Sequence, residues 1–170
     1  ANSNVVLNTL FKYTALQSSF AINNVALVGG RPRTLSLKDI IRVFVDFRHE
    51  VIVRRTKFDL DKALKRVHIL EGLLKALDFI DQIIAMIRAS KTVAEAKASL
   101  MEAFAFSDAQ ATAIVEMRLR QLTGLEREKI QAEYDDLEKF IAYCNDVLAN
   151  PAKQMEIIKN ETIEVKEKYA

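Results

Sequence analysis

Six apolar positions recur at alternating steps of four and three along one stretch of this chain: Ile130, Tyr134, Leu137, Ile141, Cys144 and Leu148. A mean step of three and a half residues is the period at which an α-helix keeps one stripe turned toward a partner helix. A strand would throw alternate residues to opposite faces, so this stretch reads as one side of a coiled coil. Such a helix needs a second apolar stripe of similar length. One lies upstream, at Ile40, Phe44, Phe47 and Val51 and then at Leu60, Leu64, Val67, Leu70, Leu74 and Leu77, mostly in steps of three or four. Ser36 and Asp39 supply a capping hydroxyl and a first-turn acid at its start. A helix over 36–77 would be about 60 Å long at ~1.5 Å per residue, and is expected to project from a small domain. Two long helices around a short connecting segment pack most simply as an antiparallel pair. Asn150-Pro151 is expected to end the return helix and start another, with Met155, Ile158, Thr162, Val165 and Tyr169 continuing the stripe. That break and Arg54-Arg55-Thr56-Lys57 on the outgoing helix are the two expected bends.

The remaining elements are short. A helix is predicted over 4–13. Val25-Ala26-Leu27-Val28 and Arg31-Pro32-Arg33-Thr34, joined by Gly29-Gly30, read as a tight β-hairpin in which Pro32 demands an edge position. Between the long helices, Ile80, Ile83, Ile84 and Ile87 form a separate apolar stripe. Thr92 with Glu95, and Ser107 with Gln110, match the capping box, and Gly124 is expected to close the helix begun at Ser107. Four glycines and two prolines in 170 residues leave little material for catalytic loops. The expected fold is mainly α: a long antiparallel coiled-coil hairpin capped by a small helical dimerisation domain, with a short β-hairpin near the N-terminus. Its parts are an N-terminal segment with the hairpin (1–35), the two coiled-coil arms (36–77 and 125–170) and a helical tip (78–124).

Charge is unevenly distributed. From Arg31 to His68 eleven bases face five acids, whereas from Leu125 onward seven bases face eleven acids. Either the two long helices lie side by side and neutralise each other, or the basic stretch meets nucleic-acid phosphates. Arg31, Arg33, Lys38 and Arg42, at the start of the long helix, are the candidates for the second role. In the tip, Ala111, Ile114, Val115, Met117, Leu119 and Leu122 offer more apolar surface than one short helix needs, which suits contact between two copies of the chain.

Residues for catalysis or metal binding are scarce. His49 and His68 are 19 positions apart on one helix, too far to share a metal, and no acidic or cysteine cluster has ligand spacing. Gly29-Gly30 lacks the further Gly and Lys of a phosphate loop. The single cysteine, Cys144, excludes an internal disulfide and suits a reducing cytoplasm. No apolar run is long enough to span a membrane, and the first residues do not resemble a secretion leader.

Several stretches resemble the A subunits of bacterial DNA gyrase. They include Leu16-Gln17-Ser18-Ser19-Phe20-Ala21-Ile22-Asn23-Asn24, Arg48-His49-Glu50-Val51-Ile52-Val53-Arg54-Arg55-Thr56 and His68-Ile69-Leu70-Glu71-Gly72. The most specific is Met117-Arg118-Leu119-Arg120-Gln121-Leu122-Thr123-Gly124-Leu125-Glu126. The topoisomerase IV A subunits are the near alternative within the type IIA topoisomerases, and a non-enzymatic coiled-coil adaptor is the alternative outside them. The resemblance implies the end of the tower, the coiled coil and the homodimeric exit gate of an enzyme that passes one DNA duplex through another. It further implies a B subunit in an A2B2 assembly, double-stranded DNA as substrate, and Mg and ATP used through the B subunit, with no cofactor held by this chain. Tyr13, Tyr134, Tyr143 and Tyr169 all lack the preceding arginine of the family's cleavage motif, so no catalytic residue is expected here.

Overall fold

The computed structural model describes residues 2–118 and 124–170, which fall into two units, Ala1–Phe47 and Arg48–Ala170. In the first unit, helix α1 (Ser3–Tyr13) starts at Asn2, whose side-chain oxygen accepts from the Asn4 amide at 3.1 Å. Strands β1 (Val25–Val28) and β2 (Arg31–Thr34) pair antiparallel, with Val28 opposite Arg31 and Leu27 opposite Pro32. Gly29 and Gly30 have φ of 58° and 77°. Two consecutive positive φ values form the turn whose twist matches a two-residue hairpin, and this explains the glycine pair. The Leu35 amide donates to the Asn24 carbonyl at 2.8 Å, extending the ladder by one bond. Ser36 then caps helix α2 (Leu37–Asp78): its hydroxyl donates to Asp39 Oδ2 at 2.6 Å and accepts from the Asp39 amide at 3.2 Å. Neither α1 nor the hairpin buries a side chain, and Phe20, Ile22 and Leu27 are largely exposed.

The second unit contains the rest of α2 and five further helices among the described residues: α3 (Ile80–Ala89), α4 (Val93–Phe104), α5 (Asp108–Val115), α6 (Gly124–Ala149) and α7 (Pro151–Tyr169). Along α2 the buried positions are Ile52, Thr56, Ala63, Val67, Leu70, Gly72, Leu73 and Ala76. The expected interruption at Arg54-Arg55-Thr56-Lys57 is therefore no break. The helix runs through it, and Thr56 keeps the stripe inward with a side chain small enough to be covered. On α6 the heptad stripe forms at the positions its spacing predicts: Ile130 and Cys144 are buried and Tyr134, Leu137, Ile141 and Leu148 are half-buried. Val147, one place before the expected Leu148, is the more deeply buried of the two.

Ion pairs fix the direction of packing. Arg127 of α6 meets Asp78 of α2 at 2.5 Å, Arg66 grips both oxygens of Glu133 at 2.6 and 2.8 Å, and Arg55 reaches Glu161 of α7 at 2.7 Å. As the α2 partner moves toward the N-terminus its mate moves toward the C-terminus, so the helices are antiparallel. The expectation that opposite charges neutralise across the pair holds at these contacts.

At the end of the pair, one core joins every helix of this unit except α7. Leu70, Leu73 and Ala76 of α2 pack with Ile83, Leu100, Phe106, Ala111, Ile114 and Ile130. Phe79, Phe104 and Phe106 form a row with ring centroids 5.6 and 5.7 Å apart. Lys75 donates to the Phe104 carbonyl at 2.7 Å, satisfying the end of α4, where Ala105 adopts the left-handed φ of 55°. The capping box predicted at Ser107 and Gln110 forms in full. At Thr92 only half of it does: Thr92 accepts from the Glu95 amide, but Glu95 turns to the Lys91 amide. Gly124 does not close α5, which ends at Val115; it is the first residue of α6.

One contact ties α5 to α2. A Cβ on Gly72 would lie 2.6 Å from Gln110 Cγ and 2.8 Å from its Cβ. Gln110 cannot yield, because its oxygen accepts from the Ser107 amide at 3.0 Å and its nitrogen donates to the His68 carbonyl at 2.7 Å. Alanine at 72 gains about 1 kcal/mol of helix propensity, but forcing the two helices apart costs more. Gly72→Ala should lower stability by about 1–3 kcal/mol net, read from the urea midpoint; an equal or higher midpoint would show that α5 is not seated on this glycine.

Candidate functional site

The sequence singled out two surfaces, and each lies wholly within one unit. In the first, Arg31 and Arg33 share a face of β2, being two residues apart, and Lys38 and Arg42 share a face of α2, being four apart. All four are exposed. Arg42 meets Asp39 at 3.9 Å in an exposed local pair, and among the described residues Arg31, Arg33 and Lys38 make no ion pair. Exposed, weakly countered cations on neighbouring segments are suited to an extended anion such as a phosphate backbone.

In the second unit, the six apolar tip residues separate into three groups. Ala111 and Ile114 are interior, 0% and 2% exposed, and hold α5 to the core of their own chain. Val115 and Met117 are half-buried and line an open groove of about 270 Å³ with Ile80, Ile83, Ile84, Ile87 and Arg88. Leu119 and Leu122 lie outside the described residues. The α3 isoleucines, recognised from sequence only as a helix stripe, thus supply much of the apolar lining of this groove, Ile83 buried and Ile80, Ile84 and Ile87 half-buried. Their spacing of three, one and three covers a wider arc than one buried seam needs, and that was the legible signal.

The titratable groups have structural roles. Hydrogen bonding to Arg66 holds Glu133 below the usual carboxylate range, and the same bond raises Arg66. Glu161 is lowered first by its hydrogen bond to Arg55, with Arg48 adding to it. Burial, then the charges of Glu138 and Glu71, raises the Tyr134 phenol, so it keeps its proton and is no ready nucleophile. Burial also pushes the Cys144 thiol up, away from the reactive thiolate. His49 bonds Gln154 at 2.6 Å and His68 bonds the Ser107 hydroxyl at 2.7 Å. Among the described residues no group of His, Cys, Asp or Glu could hold a metal ion, and no helix is long and apolar enough to cross a membrane.

The Glu161 clamp has a definite pH dependence. Its folded-state pKa is depressed, so its contribution is present above the unfolded value and is lost as pH falls through the folded one. Because the pair is partly exposed, the contribution is about 1 kcal/mol or less. Glu161→Gln should lower the urea midpoint at neutral pH and leave it nearly unchanged in acid, where the wild-type carboxylate is already protonated. A deficit of equal size at both pH values would assign the loss to packing instead.

Residues 1–162 match the family model that describes the A subunit of DNA gyrase/topoisomerase IV. The chain is 54% identical over all of its 170 residues to the DNA gyrase A subunit of Streptococcus pneumoniae serotype 4, of which it covers 21%. It is 53% identical over 169 residues to the DNA gyrase A subunit of Clostridium acetobutylicum, covering 99% of this chain and 20% of that protein. The DNA gyrase A subunit of Streptococcus pyogenes serotype M18 is 53% identical over 170 residues, covering the whole of this chain and 20% of the relative. The chain thus spans about a fifth of the length of these curated relatives. A resemblance first read from short motifs extends along the whole sequence, and the chain belongs to the family of DNA gyrase/topoisomerase IV A subunits.

Proposed function

We propose that this chain is the coiled-coil and exit-gate portion of a DNA gyrase A subunit, a homodimerising part of an enzyme that supercoils DNA by ATP-dependent double-strand passage. The gyrase reading is preferred to topoisomerase IV because the relatives at 53–54% identity bear the gyrase name. The observation that carries the proposal is the groove of α3 and α5 at the closed end of the antiparallel helical pair. Ile84, Ile87, Val115 and Met117 stay partly open there although the chain's own core, with Leu100 and Ala111 fully buried, is already complete. A second copy covering this groove forms a contact that can part without unfolding either tip. Duplex DNA passes when it parts.

In this reading Arg31, Arg33, Lys38 and Arg42 meet DNA phosphates. Strand cleavage is performed by a tyrosine outside this chain, and Mg and ATP act through the B subunit of an A2B2 assembly in the cytoplasm. The exposed apolar side chains of the first unit, Phe20, Ile22 and Leu27 among them, are covered by other parts of the parent polypeptide. A two-stranded hairpin with no buried face has little stability alone, which supports that assignment.

The gate is tested by sedimentation equilibrium. The chain should form a dimer at micromolar concentration, and Ile84→Asp with Ile87→Asp should make it monomeric with an unchanged far-ultraviolet spectrum. A strict monomer at high micromolar concentration would overturn the gate. The DNA contact is tested separately in the intact A2B2 enzyme carrying Arg31→Ala, Arg33→Ala, Lys38→Ala and Arg42→Ala. Its affinity should fall, and the slope of log K against log salt should flatten by about 0.9 for each phosphate contact removed. An unchanged slope would leave the four as surface charges.

A further inference from the structure

The break between α6 and α7 removes two backbone bonds, and one buried side chain replaces them. Pro151 has no N–H to give the Val147 carbonyl, and the Ala152 amide that would serve Leu148 is taken by Asn150 Oδ1 at 3.0 Å. Gln154 Nε2 donates to both abandoned carbonyls, at 2.7 Å to Val147 and 3.3 Å to Leu148. With its nitrogen committed, Gln154 Oε1 is the acceptor for His49 Nε2 of α2 at 2.6 Å, so that imidazole nitrogen carries the proton. Gln154 is 4% exposed. Lys153 also pairs with Asp146 across the same break.

We propose that Gln154 is a latch that couples the seating of α7 on α2 to the geometry of the α6–α7 break. One amide makes both connections, and it cannot keep them if either helix moves alone. When α7 slides on α2, His49 releases the amide oxygen, the carboxamide is free to turn, and the two carbonyls lose their donor. When the break changes angle, the amide is drawn from His49. Of the Met155, Ile158, Thr162, Val165 and Tyr169 expected from the heptad, Ile158 alone is buried, and Gln154 and Glu161 face this contact in place of the others. Met155, Val165 and Tyr169 are exposed, at 46%, 57% and 75%. The directional polar bonds at Gln154 and Glu161 weaken steeply when either partner is displaced. The coupling rests on these contacts alone and stands whether or not the tip is a gate.

Spin-label distances in the full chain test it. Labels at Glu138→Cys and Glu164→Cys read the break, and labels at Lys57→Cys and Lys159→Cys read the seating of α7; Cys144, buried, stays unlabelled. The unaltered latch should give one narrow distance for each pair. Gln154→Met, similar in length but without donors, should lose the narrow distribution at both. Adding Pro151→Ala, which returns an N–H to the Val147 carbonyl, should restore a narrow distance across the break but not at the second pair. His49→Phe decides the coupling, and does so even where Gln154→Met fails to fold by far-ultraviolet spectrum. This variant alters only the α2 side, yet it should broaden the distance between α6 and α7. A narrow α6–α7 distance in His49→Phe, or in a folded Gln154→Met, would overturn the latch.

Discussion

Leu70, Leu73 and Ala76 of α2 are the hub of the second unit, because each of α3, α4, α5 and α6 buries at least one residue against the cluster they join. None of the short helices could stand alone. Helices of eight to twelve residues are marginal in water, and here tertiary burial supplies what propensity cannot. Removing a leucine at this hub costs its own side-chain transfer and, in addition, the cavity left behind. The same geometry explains why Gly72 has no side chain: α5 approaches α2 so closely that Gln110 occupies the space a Cβ would take.

Outward from the hub the character of the helical pair changes. Between α2 and α6 it buries Val67, Ile130, Cys144 and Val147, with the exposed ion pairs of Arg66 with Glu133 and Arg127 with Asp78 beside them. Between α2 and α7 it becomes polar and directional, with His49 on Gln154 and two arginines on Glu161. A hydrogen bond weakens steeply with misalignment, so the polar contacts to α7 depend on how that helix is placed.

The parts of this design legible in the sequence were those with a period or a fixed chemical signature. The stripe from Ile130 to Leu148, the Ser36 and Ser107 caps, the Gly29-Gly30 turn and the Asn150-Pro151 break all follow from local rules that act over a few residues. What was missed depends on partners distant in sequence. Nothing local marks Gln154 as more buried than Met155; that follows from the orphaned carbonyls at Val147 and Leu148 and from a histidine 105 residues away. Likewise Arg54-Arg55-Thr56-Lys57 looked like a gap in the stripe because three of its four residues are charged, but one small inward threonine is enough to keep a helix seated. At the tip, sequence placed apolar residues correctly without separating those facing inward from those left open. Ala111 and Val115 lie one helical turn apart, yet Ala111 is enclosed in the core and Val115 lines the open groove.

Charge along α2 divides the helix in the same physical terms. Arg48, Arg55 and Arg66 are answered across the pair by acids of α6 and α7, so the excess of acids after Leu125 is used in holding the helices together. Arg31, Arg33, Lys38 and Arg42 precede that stretch, and among the described residues the acid that meets any of them is Asp39, already engaged by the Ser36 cap. An arginine held by a glutamate has little attraction left for a second anion, whereas an exposed cation releases its counterions to any phosphate that replaces them. Net charge of the segment therefore overstates what is available to a polyanion at one end of α2 and describes it fairly at the other. In the proposed DNA-binding role, the four residues on β2 and the first turns of α2 are thus set apart from Arg48, Arg55 and Arg66, which are engaged across the pair.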